Sequence, residues 1–253
     1  MIWLFYLITF IFGLAMGSFL DCLVIRLAEN RTMLGHSVCP YCHHKLNWLD
    51  LIPLFSFVIF GGKCRHCHHR LSWEYPITEL ITGLLFVLVA FLFAGQSNLL
   101  ILIRNFFITS ILVFVFLYDL KYQLILDKIV LPTILIVFIF NLLIGLPLKN
   151  YLFAALVVTL FFALQFIISR GRWIGGGDLR LGFLLGLIVG WPGILLTLII
   201  AYVSGTIIGL LLIIAKQKKM SSAVPFAPFL VFGALITLFW GSQILNHLFY
   251  FNL

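Results

Sequence analysis

Charge is scarce in this chain. Lys, Arg, Asp and Glu make up only 9% of its 253 residues, while 63% are hydrophobic and the mean hydropathy is +1.19. A soluble domain carries roughly 25% charged residues, so a soluble globular protein is excluded. Acid is scarcer still, with eight Asp and Glu against 16 Lys and Arg and a net charge of +8. The basic residues fall between apolar runs, which fits positive-inside placement beside an anionic leaflet better than nucleic-acid binding. No nucleic-acid partner is expected. The first apolar run, opening Met1-Ile2-Trp3-Leu4-Phe5, has no basic segment before it and passes Leu20. It is too long for a signal-peptide core of about 7–15 residues and reads as a retained span. There is no strand, glycine-rich turn and helix of the dinucleotide-binding sort.

What remains is an all-α integral membrane protein. A helix needs about 20 apolar residues to cross roughly 30 Å of hydrocarbon. Runs near that length fall at 2–25, 77–95, 99–118, 129–147, 151–169, 180–191, 193–215 and 227–250, which predicts about eight transmembrane helices. The sixth is short and stops at Trp191-Pro192-Gly193, a turn signal. The stretch 51–60 is ten residues long, holds Pro53 and is not expected to span. If the loop after the first span is cytoplasmic, every Lys and Arg except Lys149 and Arg104 falls inside, counting Lys216, Lys218 and Lys219. The opposite orientation inverts the bias. Both termini are then outside, and the ends of the third and sixth spans that carry Asp119 and Asp178 share the cytoplasmic face.

The first loop, about 28–76, contains an internal repeat. Cys39-Pro40-Tyr41-Cys42-His43-His44-Lys45-Leu46-Asn47-Trp48 recurs 25 positions on as Cys64-Arg65-His66-Cys67-His68-His69-Arg70-Leu71-Ser72-Trp73. Each copy is a Cys-x-x-Cys knuckle. Cys39, Cys42, Cys64 and Cys67 supply the four thiolates of a closed tetrahedral site, predicting a small zinc-ribbon-like domain with structural Zn2+. Disulfides and thiol redox chemistry are the rivals. A cytoplasmic loop keeps thiols reduced, and no thioredoxin-like pattern surrounds these. His36, His43, His44, His66, His68 and His69 are alternative ligands that a four-sulfur set makes unnecessary. Cys22, alone in the first span, reads as a small apolar residue.

Asp119 and Asp178 sit at the mouths of apolar runs, and the second closes Gly175-Gly176-Gly177-Asp178. An ionisable group at the edge of hydrocarbon is costly unless it is used or paired, so both are functional candidates. Side by side, two carboxylates share one proton. The ionised member can activate water while the protonated one donates to a carbonyl oxygen. The plain alternative is capping: Asp178 can cap its own helix, and Asp127 reads as a helix-end acid or N-cap neutralised by Lys121 or Lys128. Proton relay in a transporter is a further reading, as is a thiol oxidoreductase built on the cysteine pairs.

These motifs together resemble the type IV prepilin peptidases, bifunctional leader peptidase/N-methyltransferases of bacterial pilus, secretion and competence systems. The resemblance runs through Gly17-Ser18-Phe19-Leu20, both knuckles, Ile52-Pro53-Leu54-Phe55-Ser56, Tyr75-Pro76-Ile77-Thr78-Glu79-Leu80, Asp119, Gly175–Asp178 and Pro225-Phe226-Ala227-Pro228-Phe229. The sequence departs from the family at Asp21, commonly Asn, and at Leu126, often Pro. The resemblance implies that Asp119 and Asp178 are the aspartates of a membrane-embedded aspartic peptidase. It implies cleavage of the basic leader of prepilins or pseudopilins at the cytoplasmic face of the bacterial plasma membrane. It further implies N-methylation of the new terminus with S-adenosylmethionine, the methyltransferase part lying in 1–95 and the six-helix peptidase part in 96–253. Glu79 is a candidate for the methyl-transfer site or for a structural salt bridge.

Overall fold

The computed structural model describes residues 2–32, 35–39, 41–42, 44–95, 98–215 and 224–249. Pro40, His43, Lys216, Lys218 and Lys219, used in the sequence reading, lie outside them. The described residues form nine α-helices: α1 (Ile2–Ala28), α2 (Phe55–Ile59), α3 (Glu74–Phe93), α4 (Leu99–Tyr122), α5 (Asp127–Ile144), α6 (Leu148–Ser169), α7 (Gly176–Val189), α8 (Gly193–Ile214) and α9 (Ala227–Phe249). There is no strand among them, only two isolated bridges in the cysteine loop. Seven helices are long and apolar enough to cross a bilayer, so this is a multi-pass membrane protein. The expected span without a bilayer-length helix is the sixth, 180–191, which is α7; its 14 residues cover about 21 Å, short of the hydrocarbon thickness. The stretch 51–60 does not span. It holds the end of a short 3-10 turn and the five-residue α2, which leaves Phe55, Val58 and Ile59 exposed.

The chain divides into two compact units, Met1–Phe114 and Val115–Leu253. In the first, α1 packs along α3 through small residues. A Cβ on Gly13 would meet Gly83 Cα at 2.8 Å, and one on Gly17 would meet Glu79 Cα at the same distance. In lipid, where apolar side chains gain nothing by leaving solvent, such close backbone approach is what holds helices together. α3 starts at Glu74, three residues before its apolar run, because Pro76 falls in the first turn, where a missing N–H costs nothing.

In the second unit α6 and α7 form an antiparallel hairpin. Asn150, in the first turn of α6, donates to Trp191 O (2.9 Å) and accepts from Trp191 N (2.7 Å), just beyond the end of α7. Further along, Gly186 lies against Ala155 and Gly182 against Phe162. That register sets Asp178 beside α6 near Gln165, about one turn short of the helix end. Asn141 of α5 reaches across to donate to Leu187 O at 2.8 Å.

The glycine contact sets a test. A Cβ at 186 would lie 2.4 Å from Ala155 Cα and 2.5 Å from its N, both backbone atoms that cannot swing away. Gly186→Val is expected to force the helices apart and cost about 1–3 kcal/mol or more, read as a lowered melting temperature in detergent. Gly209→Ala, with nothing within 4 Å of its Cβ, is expected to leave melting unchanged.

Candidate active site

Asp119 occupies the last turn of α4 and is 5% exposed. Its Oδ2 accepts the backbone N–H of Ala227 at 3.2 Å. Ala227 is the first residue of α9, whose initial N–H groups have no partner within their own helix. The Pro-Phe-Ala-Pro segment thus delivers a donor to a carboxylate 108 positions away.

Asp178 is 9% exposed and lies in the first turn of α7. Its Oδ2 accepts Gly175 N–H at 3.0 Å, while its own N–H donates to Gly175 O at 3.1 Å, a reciprocal capping arrangement. The glycines allow this approach. A Cβ on Gly177 would meet Ile125 Cβ at 2.8 Å, so the loop after α4 lies directly on the triple glycine. Asp119 is near enough to act electrostatically on Asp178, which brings the two sequence candidates to one place. Asp178 caps its helix, as the plain alternative held, and capping leaves it within electrostatic range of the other carboxylate.

Two neighbours carry no sequence signal. Tyr202 of α8 lies within electrostatic range of Asp178, and its hydroxyl donates to Gln165 Oε1 at 3.0 Å. Its ring is 5.0 Å from Phe226, next to the donor residue Ala227. A mid-helix Tyr and Gln among apolar residues look like filler until the register places them. Asp127 differs from expectation. It is the first residue of α5, with Leu126 as N-cap, and it pairs with Arg180 of α7 rather than Lys121 or Lys128. Adjacent residues on a helix point apart, so Lys128 is poorly placed to reach it.

In the first unit the sequence repeat is also a repeat of backbone bonds. Cys39 N donates to His44 O (3.0 Å) and Leu46 N to Ser37 O (2.9 Å). Twenty-five positions on, Cys64 N donates to His69 O (2.9 Å) and Leu71 N to Gly62 O (2.8 Å). The bridges Val38–Lys45 and Lys63–Arg70 repeat likewise. The two knuckles face one another. Tyr41 stacks on His69 at 3.5 Å between centroids, and their repeat partners His66 and His44 stack at 3.6 Å, a local pseudo-twofold. His44, His66 and His69 therefore serve as stacking surfaces between knuckles.

All four Sγ atoms lie within 4.8 Å of one another, and Cys39 and Cys67 are 3.9 Å apart. A tetrahedral zinc with Zn–S near 2.3 Å has sulfur edges of about 3.8 Å, so the donor set fits the ion. Burial pushes the Cys39 thiol above its ordinary value, against the pull of the Cys42 and Tyr41 N–H groups. At Cys64 burial pushes the same way, but the N–H groups of Cys67 and His66 and the adjoining thiols outweigh it and draw the group down to about 7. Cys22 is half-buried, and its sulfur lies 3.6 Å from Ser37 Oγ, facing the loop.

Residues 11–93 match the model of the bacterial peptidase A24 N-terminal domain, and residues 106–210 match that of the type IV leader peptidase family. Among curated proteins, the chain is 32% identical to a prepilin leader peptidase/N-methyltransferase of Aeromonas salmonicida, over 96% of this chain and 93% of that one. Proteins of the same name from Pseudomonas aeruginosa (32%, over 95% and 92%) and Bacillus subtilis (29%, over 94% and 96%) are similar over comparable lengths. No solved structure matches the chain.

Proposed function

The chain belongs to the type IV leader peptidase family, and on that footing we propose that Asp119 and Asp178 are its acid–base pair and cleave the basic leader of prepilins or pseudopilins at the cytoplasmic face. It is an aspartic peptidase of the membrane. The observation that carries the assignment is that two buried carboxylates from α4 and α7 lie within electrostatic range of each other, each holding one oxygen on a backbone N–H. Close together they retain one proton between them. The ionised member removes a proton from water as its oxygen bonds the peptide carbonyl carbon. The protonated member gives its proton to the carbonyl oxygen. On collapse the C–N bond breaks and the leaving nitrogen is protonated, restoring the pair.

Methylation of the new N-terminus is the second activity, assigned to the part spanning residues 1–95; the peptidase part is 96–253. When bound, S-adenosylmethionine would supply an electrophilic methyl group to the new terminal amine, which would lose one proton as the donor left as a neutral thioether. Cys39, Cys42, Cys64 and Cys67 would hold zinc and so cross-link the two knuckles, and a set of four thiolates is that of a structural site. The basic loops support an inward-facing site in the bacterial plasma membrane. The partners are the prepilin-type substrate and the bilayer.

The test is purified protein in lipid with a prepilin-type peptide, read by mass spectrometry. Loss of the leader, and gain of one methyl mass when S-adenosylmethionine is added, is expected. An intact peptide across several prepilins would overturn the peptidase reading.

A further inference from the structure

The first unit encloses a cavity of about 370 Å³ bounded by α1, the start of α3 and the cysteine loop. Small-molecule sites run from roughly 300 to 1,000 Å³, mostly apolar with a few placed polar groups. Four acidic residues line this one, and two of them are buried and come from opposite helices: Asp21 of α1, 2% exposed, and Glu79 of α3, 7% exposed; Glu29 and Asp50 lie nearer solvent. Buried acids are costly, and this chain has only eight acidic residues in all. Glu79 does have a structural duty. Its Oε2 accepts Leu54 N–H at 2.8 Å, and its carboxylate also bonds Ser18, so it ties the loop to α1. That duty needs an acceptor, which a neutral amide would supply equally well; it does not explain a charge, still less a second one. Tyr75 stands within electrostatic range of Asp21, Phe57 adds an aromatic wall, and Arg26 brings a guanidinium to the rim beside Gly35.

Two buried acids deep in a site, an aromatic wall and basic residues at the rim make a complementary set. They match a ligand with a cationic centre, a flat heteroaromatic and a carboxylate. S-Adenosylmethionine has all three: sulfonium, adenine and amino-acid carboxylate. We propose that this cavity is the methyl-donor site, with Glu79 and Asp21 facing the sulfonium and ammonium charges and Arg26 the carboxylate. The inference rests on the methyl-transfer reading above and adds the place and the residues.

The charge argument separates two ligands of nearly one shape. S-Adenosylhomocysteine is the neutral thioether, lacking only the methyl and its positive charge. Equilibrium binding of both is measured on the full chain in nanodiscs, for wild type and the isosteric double variant Asp21→Asn/Glu79→Gln. The variant keeps the acceptor for Leu54. Its affinity for S-adenosylmethionine is expected to fall about tenfold or more, and that for S-adenosylhomocysteine by less than about threefold. Equal losses for both ligands, or no loss for either, would overturn the site. Photo-cross-linking of methyl-labelled S-adenosylmethionine to wild type is expected to mark peptides within residues 18–79. A label confined to residues 115–249 in a protein that still methylates would sink this inference and leave methyl transfer standing. A wild type that neither binds the donor nor methylates a cleaved substrate would remove both.

Discussion

Asp119→Asn and Asp178→Asn each remove leader cleavage, by roughly a thousandfold or more in kcat, because each variant deletes one of two proton-transfer roles that no neighbouring group can assume. The loss is expected without unfolding. An Asn side chain still presents an oxygen to the N–H it must satisfy, Ala227 for residue 119 and Gly175 for residue 178. The measurement is peptide cleavage by mass spectrometry, beside melting temperature and zinc content, both of which should match wild type. Asp127→Asn supplies the contrast. Its carboxylate pairs with Arg180, and the two side chains are 45% and 46% exposed. Pairs so exposed contribute about 0–1 kcal/mol, so its cleavage should stay within about threefold of wild type. Full activity in either Asp119→Asn or Asp178→Asn refutes the shared-proton pair.

The second large effect belongs to the knuckles. Cys39→Ser with Cys64→Ser removes the two buried sulfurs and is expected to take zinc from one ion per chain to none. Among the described residues the knuckles themselves are held by little else: two isolated bridges, a handful of backbone bonds and two ring contacts. Structural zinc supplies an apparent 10–16 kcal/mol, roughly, to small zinc domains at neutral pH, more than these contacts can replace. Limited proteolysis should then cut within 35–71 while the membrane helices persist, and a strong chelator should reproduce the cut in wild type. Elemental analysis showing undiminished zinc in the double variant would end the four-sulfur assignment.

The helices and both candidate centres were legible in the sequence for a common reason. Hydrocarbon length, glycine spacing and Cys-x-x-Cys are one-dimensional signals that survive without coordinates. The run ending at 118 and the helix ending at Tyr122 differ by only a turn, yet that turn carries Asp119 inside the helix instead of into a loop. What escaped was pairing across the fold. Asp127 has lysines as sequence neighbours and an arginine as its actual partner. Tyr202 and Gln165 acquire a role only because α6 and α7 align in the register that Gly182 and Gly186 allow. The exchange of Tyr41–His69 for His66–His44 is implicit in the repeat, but only the facing of the knuckles turns it into contact.

The tie between Asn150 and Trp191 works at the opposite end of α7 from Asp178. Helix α7 runs eleven residues on from Asp178 before it ends at Val189, a lever arm of about 16 Å. At that length a tilt of roughly 3° at the pivot carries the carboxylate about 1 Å, and displacements of that size can cost around a hundredfold in rate. A pair of amide hydrogen bonds at one end of α7 thus bears on the aim of Asp178 at the other by leverage, with no contact between them.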